Sequence, residues 1–179
     1  MSRIRIVGGQ WRSRLLEVTD ARGLRPTPDR VRETLFNWLG QDLSGQSCVD
    51  LFAGSGILGF EAASRGAAPV VLVDSSAAAY AALQRSAKTL QAAQVEIVRC
   101  DALRFALRTQ QPFDGAFIDP PYGQDWIGRI EAVLDRLVKP QGWLYVESEA
   151  AVTHLGNWRT VKQGRAGQVH FHLMHWSQQ

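Results

Sequence analysis

From residue 48 onward, short apolar runs alternate with stretches of helical periodicity, and this alternation restricts the possible folds more than any other feature of the chain. Cys48 to Phe52, Val70 to Val73, Val95 to Val98, Phe113 to Ile118 and Trp143 to Val146 read as strands. Ile57 to Ser64, Ser76 to Gln91, Leu103 to Thr109 and Trp126 to Val138 read as the helices between them. Continuous apolar strands joined by helices imply a parallel sheet covered on both faces, with right-handed crossovers. Trp158 to Lys162 and Gln168 to Trp176, joined by a glycine-rich turn, are spaced as a hairpin, so the sheet should end on an antiparallel strand. The expected architecture is therefore α/β, a doubly wound and mostly parallel sheet, with ligands bound beyond the carboxyl ends of its strands.

Ahead of this unit, residues 1–40 read as a β-hairpin followed by a helix, an arm of the same domain as residues 41–179. Ile4 to Val7 and Leu15 to Val18 flank a turn at Gly8 and Gly9. Thr27-Pro28-Asp29 has the form of an N-cap, a first-turn proline and an acid, and Val31, Leu35, Trp38 and Leu39 then recur as an apolar stripe. That reading places Arg30, Arg32 and Asn37 on the solvent side.

The first parallel strand runs into Asp50-Leu-Phe-Ala-Gly-Ser-Gly-Ile-Leu-Gly59, and Asp74 ends the next strand. Gly54, Gly56 and Gly59 satisfy a dinucleotide fingerprint, which taken alone would suggest NAD. The underlying requirement is broader: a tight turn, close ligand approach and a carboxylate able to accept from both hydroxyls of a ribose suit any adenosine-containing cofactor. Asp50 separates the choices. Its carboxylate would repel a pyrophosphate and attract an ammonium group, which favours S-adenosylmethionine. Asp101, at the end of the third strand, could accept from the adenine amino group. The candidate cofactor-binding residues are Asp50, Phe52, Ala53, Gly54, Ser55, Gly56, Asp74, Ser75, Asp101 and Ala102.

The fourth strand ends in Asp119-Pro120-Pro121-Tyr122. Two prolines fix the backbone and remove two donors, so carbonyl oxygens and the Asp119 carboxylate remain as acceptors. Acceptors suit a substrate with N–H donors, and an exocyclic amine of a nucleobase fits. Hydrogen bonds from its N–H groups would turn the delocalised nitrogen lone pair toward an electrophilic methyl carbon, with Tyr122 stacked on the base. A proline-rich turn after a buried strand is the structural alternative for the tetrapeptide in isolation. Glu147 and Glu149 could line the substrate mouth, although solvation of a strand end explains them equally well.

Asp50-Leu-Phe-Ala-Gly-Ser-Gly, Asp119-Pro-Pro-Tyr, Val146-Glu-Ser-Glu and the segment from Gly23 to Trp38 together resemble the RsmD family, over nearly the whole chain from Ile4 to about Trp176. The resemblance implies a Rossmann-like class I methyltransferase that uses S-adenosylmethionine to methylate the N2 amine of a guanine in 16S ribosomal RNA, within the 30S subunit or an assembly intermediate. It also implies that Gly54, Ser55, Gly56, Asp74 and Asp101 bind the cofactor and that Asp119 to Tyr122 hold the guanine. Family members often carry glutamate at the position of Asp74.

Charge distribution bears on the partner. Residues 1–40 hold eight arginines against four acids, whereas the remainder is nearly balanced. A basic arm of this kind suits nucleic-acid phosphates, and Arg3, Arg5, Arg12, Arg14, Arg25, Arg30 and Arg32 are the candidate RNA-binding residues. Trp11, in the hairpin turn, is the one tryptophan read as a platform for a base. Cys48 and Cys100 read as reduced core cysteines, and without a signal sequence or apolar span the expected location is the cytoplasm. No metal site, no membrane association and a monomer are expected. Two other functions fit the same motifs: amino-methylation of adenine or cytosine in DNA, and a cofactor-binding ribosome assembly factor without turnover.

Overall fold

The computed structural model describes residues 2–19 and 26–178. A two-stranded antiparallel hairpin, β1 (Ser2–Arg5) and β2 (Leu15–Val18), precedes helix α1 (Asp29–Leu39). Then follow β3 (Cys48–Asp50), α2 (Ile57–Ser64), β4 (Val70–Asp74), α3 (Ala77–Leu90), β5 (Val95–Arg99), α4 (Ala102–Arg108) and β6 (Phe113–Ile118). The chain closes with α5 (Trp126–Glu131), α6 (Leu134–Leu137), β7 (Val138–Ser148), β8 (His154–Leu155), β9 (Trp158–Ala166) and β10 (Val169–Trp176).

Strands β3 to β10 form one sheet in the order β5-β4-β3-β6-β7-β10-β9-β8. The first five positions are parallel, and β10 enters antiparallel beside β7 and carries β9 and β8 outward as a meander. Strand order reverses between β3 and β6, which makes their carboxyl ends the switch point where an α/β sheet opens a crevice. Alternation along each strand sends Cys48, Val70 and Leu72 into a core with α1, α2 and α3, and Val49, Val71 and Val73 into a second core with α4, α5 and α6.

Helix α2 is buried along its whole length, in keeping with a sequence that is apolar apart from Glu61 and Ser64. One side meets the sheet, where a Cβ on Gly59 would fall 2.1 Å from Leu72 Cδ2. The N-terminal hairpin covers the other side: Val7 N–H donates to Glu61 (2.6 Å), Trp11 N–H to Ser64 Oγ (2.9 Å), and the Trp11 ring lies edge-on to Phe60. Trp11 is thus buried and is not available as a stacking platform.

Arg32 departs from the solvent-facing position expected of it. Its side chain is fully buried, paired with Glu61 at 2.7 Å and with Asp29, and it donates to the carbonyls of Thr27 and Arg5. No phosphate can reach it, so it leaves the RNA-binding set. Arg32 stands three and four residues before Leu35 and Phe36, within the buried face Val31, Arg32, Leu35 and Phe36. Thr27 is also not an N-cap. Pro28 occupies that position without a side-chain cap, and the Thr27 hydroxyl points to β7 instead.

Several element boundaries differ from the sequence expectation: β1 lies two residues earlier than Ile4 to Val7, β3 ends at Asp50, β9 continues to Ala166, and β8 is additional. The stretch Trp126 to Val138 is two short helices, because Val133 N–H closes a tight bond onto Ile130 O between them. Strand β7 begins at Val138, and the turn-like Lys139 to Gly142 lie within an irregularity where the register jumps from Phe113↔Val138 to Gly115↔Trp143.

Candidate active site

A cleft of about 890 Å³ opens over the carboxyl ends of β3, β4, β6 and β7. Phe52, Gly54, Asp74, Ser75, Asp101 and Ala102 line it together with Asp119, Pro120, Pro121 and Tyr122. Among the cofactor candidates Asp50, Ala53, Ser55 and Gly56 lie behind this wall, in or beneath the glycine turn.

The turn is held from two sides. Gly54 and Gly56 have φ of +56° and +81°, a conformation that other residues adopt only at a cost. Asp74 accepts from Gly54 N–H at 2.9 Å through one oxygen and from Ser76 N–H at 2.8 Å through the other. Each oxygen keeps a lone pair toward the cleft, so a ribose hydroxyl pair can be bound without dismantling the turn. Asp101 is exposed and caps α4 by accepting from Arg104 N–H at 3.0 Å, which commits only one of its oxygens.

Asp50 is different in kind. It is 1% exposed, its Oδ2 accepts a long 3.3 Å bond from Gly59 N–H, and its Oδ1 has no donor in good hydrogen-bond geometry, with the Phe52 N–H nearby. A buried carboxylate oxygen without a donor is costly. Burial, with the charges of Asp74 and Glu147 nearby, pushes the Asp50 carboxyl up to about 7 despite the opposing N–H groups of Gly59 and Phe52. The free acceptor is suited to a cationic or N–H-bearing ligand group.

Asp119, just after β6, and Glu147, the penultimate residue of β7, are brought level, since Ile118 and Val146, the residues before them, are register partners. Burial and the adjoining Glu147 carboxylate, with Asp50 beyond, hold Asp119 well above the usual carboxylate range. Glu147 is buried, and its Oε1 accepts from the hydroxyls of Thr27 (2.7 Å) and Tyr145 (2.8 Å). Burial and the Glu147 charge keep the Tyr145 hydroxyl protonated and hence a donor. None of the ion pairs among the described residues involves Asp50, Asp119 or Glu147. The cleft floor is thus rich in acceptors and poor in cations, as a site for a positively charged, donor-bearing ligand should be.

Tyr122 stands at the mouth with 47% of its surface exposed, leaving a ring face free for a planar ligand. The turn of the last hairpin, Gly167 to Val169, also reaches the cleft. Neither that turn nor Thr27 is recognisable as part of the site from sequence; hydroxyl and turn residues carry no periodic signal, and only the tertiary fold brings them here. Glu147 is legible in part, as a carboxylate beside Ser148 at a strand end.

Arg3, Arg5, Arg12, Arg14 and Arg30 are exposed, and Arg14 also donates to Thr89 O at 3.0 Å. Arg25 lies outside the described residues. No helix among the described residues is long and apolar enough to cross a membrane.

Known proteins match this arrangement throughout. The ribosomal RNA small subunit methyltransferase D of Escherichia coli K12 is 42% identical, over 95% of this chain and 88% of its own length. Its counterpart in Haemophilus influenzae is 38% identical, over 95% of this chain and 92% of its own. The solved structure of the Escherichia coli protein yhhF superimposes with a TM-score of 0.88 at 37% identity, covering 99% of this chain and all of that one. The family described as Conserved hypothetical protein 95 matches residues 4–175, and with relatives this similar over nearly their whole length, the chain belongs to that family, the one its motifs resemble.

Proposed function

We propose that this protein is an S-adenosylmethionine-dependent methyltransferase of small-subunit ribosomal RNA that acts on the exocyclic N2 amine of a guanine. The observation that carries this reading is the trio of carboxyls, Asp119 and Glu147 lining one cleft and the buried Asp50 close behind them, without a cation to neutralise them. Asp50 and Asp74 would hold the ammonium and ribose of the cofactor across the glycine turn, with Asp101 near its adenine. Asp119 and the Pro120 carbonyl would accept the two amine hydrogens while Tyr122 stacks on a base splayed out of the RNA. S-adenosylmethionine, when bound, would supply an electrophilic methyl group and take up the displaced bond pair on sulfur, while Asp119 would aim the amine nitrogen and accept the proton that it sheds. Most of the acceleration comes from alignment, with effective molarities on the order of 10⁵ M or more available to well-placed reactants. The names of the relatives, which specify small-subunit rRNA, support the substrate class.

Cofactor binding should be linked to the Asp50 proton. The free carboxyl titrates at about 7 and an adjoining ammonium lowers it, so binding below that pH expels a proton and affinity rises with pH up to about 7. Calorimetric titration at about pH 6 in two buffers of different ionisation enthalpy should read net proton release, and Asp50→Asn should abolish it.

The exposed arginines Arg3, Arg5, Arg12, Arg14 and Arg30 would contact RNA phosphates. Replacing Arg3 and Arg5 with alanine should weaken RNA binding and reduce the slope of log K against log salt by about 1 for each phosphate no longer neutralised. Cofactor affinity should not move.

Labelled methyl transfer to undermethylated 30S subunits, with naked rRNA and duplex DNA as competitors, tests the assignment. Label in the RNA, undiminished by duplex DNA, is expected; preferential labelling of duplex DNA would overturn it.

A further inference from the structure

Resting on the amino-methyltransferase reading of this cleft, we propose that Glu147 is its specificity-determining residue: Oε2 accepts the ring N1–H of guanine while Asp119 accepts from the adjoining 2-amine. The placement carries the argument. Asp119 and Glu147 follow register partners on adjacent parallel strands, so two acceptors emerge side by side at the cleft floor. Both hydroxyl donors that reach Glu147, from Thr27 and Tyr145, serve Oε1. Neither donor serves Oε2, and Glu147 lines the cleft beside the Asp119 carboxyl, within hydrogen-bond reach of it, so the pair presents its remaining acceptor capacity to a ligand there.

Base chemistry then decides which amine fits. In guanine the atom beside the amine is a ring nitrogen bearing hydrogen, so the edge presents donors next to donors. In adenine and cytosine the ring nitrogen beside the amine carries a lone pair, which would face the Glu147 carboxylate with no proton between them. A site built to accept a hydrogen bond rejects an analogue that lacks the donor far more strongly than an apolar pocket rejects a change of size. Thr27, in the segment before α1, and Tyr145, in β7, hold Glu147 from two directions and act as positioning residues. Asp119 is shared between reading and chemistry; Glu147 reads only.

The substrate that isolates this contact is 2-aminopurine, which keeps the 2-amine and has a lone pair at N1. Subunits would be reconstituted with rRNA carrying 2-aminopurine at the guanine that wild type labels, and single-turnover transfer compared with the unsubstituted particle. Wild type should prefer guanine by at least about a thousandfold. In Glu147→Gln the preference should fall to about tenfold or less, because the amide can turn its NH₂ toward N1, and transfer to 2-aminopurine should not fall below the wild-type rate. Thr27→Val should weaken guanine transfer and narrow the preference partway, with restoration in Thr27→Ser. Cofactor affinity within about threefold of wild type verifies folding of each variant. Loss of the O6 atom in 2-aminopurine affects wild type and variant alike and cancels in the ratio. If Glu147→Gln slows both substrates by one common factor, Glu147 is structural and the inference is overturned. If wild type labels no guanine at all, the reading of the site fails, and that result is visible before any variant is compared.

Discussion

Asp119→Ala is expected to lower single-turnover methyl transfer by about 10²–10⁴-fold while leaving cofactor affinity within a few-fold of wild type. Asp119 follows β6, whereas the glycine turn and Asp74 follow β3 and β4, so its removal leaves the hydrogen bonds that hold the turn in place. What disappears is an acceptor that orients the amine and takes its proton. The same substitution should not harm the fold. Asp119 is a carboxyl held among Glu147 and Asp50 without a cationic partner, so in the free protein its ionised form is a cost rather than a support. Asp119→Asn, which preserves shape and one acceptor oxygen, is expected to raise the melting temperature and still reduce transfer, the usual exchange between stability and a charged site. A rate profile adds a third readout. Wild-type transfer should increase with pH through a carboxyl titration displaced upward from the ordinary range, and Glu147→Gln should shift that inflection to lower pH by removing the neighbouring charge.

Glu61→Ala should produce the largest loss of stability, about 3–5 kcal/mol, because it removes the carboxylate that two buried guanidinium groups share. Glu61 is fully buried in α2 and receives Val7 N–H at 2.6 Å, Arg32 at 2.7 Å and Arg65. Arg32 would keep Asp29 and two carbonyls, but Arg65 would be left without its carboxylate and Val7 without its acceptor. For a chain of this size the melting temperature should fall on the order of 10 °C. The hairpin should loosen as well: hydrogen exchange at the Val7 amide should accelerate more than exchange within β3 or β6, and RNA affinity should fall through the arm before cofactor affinity changes. Uniform acceleration across the sheet would show that the cluster supports the core rather than the arm.

The parallel part of the fold is legible in the sequence because its strands are short, apolar and separated by helices of clear period. Phe113 to Ile118 and Ile57 to Ser64 read with the boundaries that the structure has. Asp74 and Asp119 are legible because an acid that ends a buried strand points where the sheet opens. Arg32 misleads because charge ordinarily signals exposure, although its spacing from Leu35 and Phe36 puts it on the buried face; only a partner on another helix, Glu61, makes such burial possible. Thr27 misleads for a related reason. Local pattern assigns it to its own helix, whereas a tertiary contact with Glu147 captures its hydroxyl. Both departures fall where the N-terminal arm meets the core, which is where short-range pattern has least to say.

The central claim is that the cleft joins a sulfonium methyl donor to the 2-amine of guanine in small-subunit rRNA. Its most direct test is to incubate the purified protein with undermethylated 30S subunits and labelled S-adenosylmethionine, digest the RNA and identify the labelled nucleoside by mass spectrometry. N2-methylguanosine as the labelled product is the predicted result. Label in N6-methyladenosine or N4-methylcytosine, or tight cofactor binding without transfer to RNA, would contradict it.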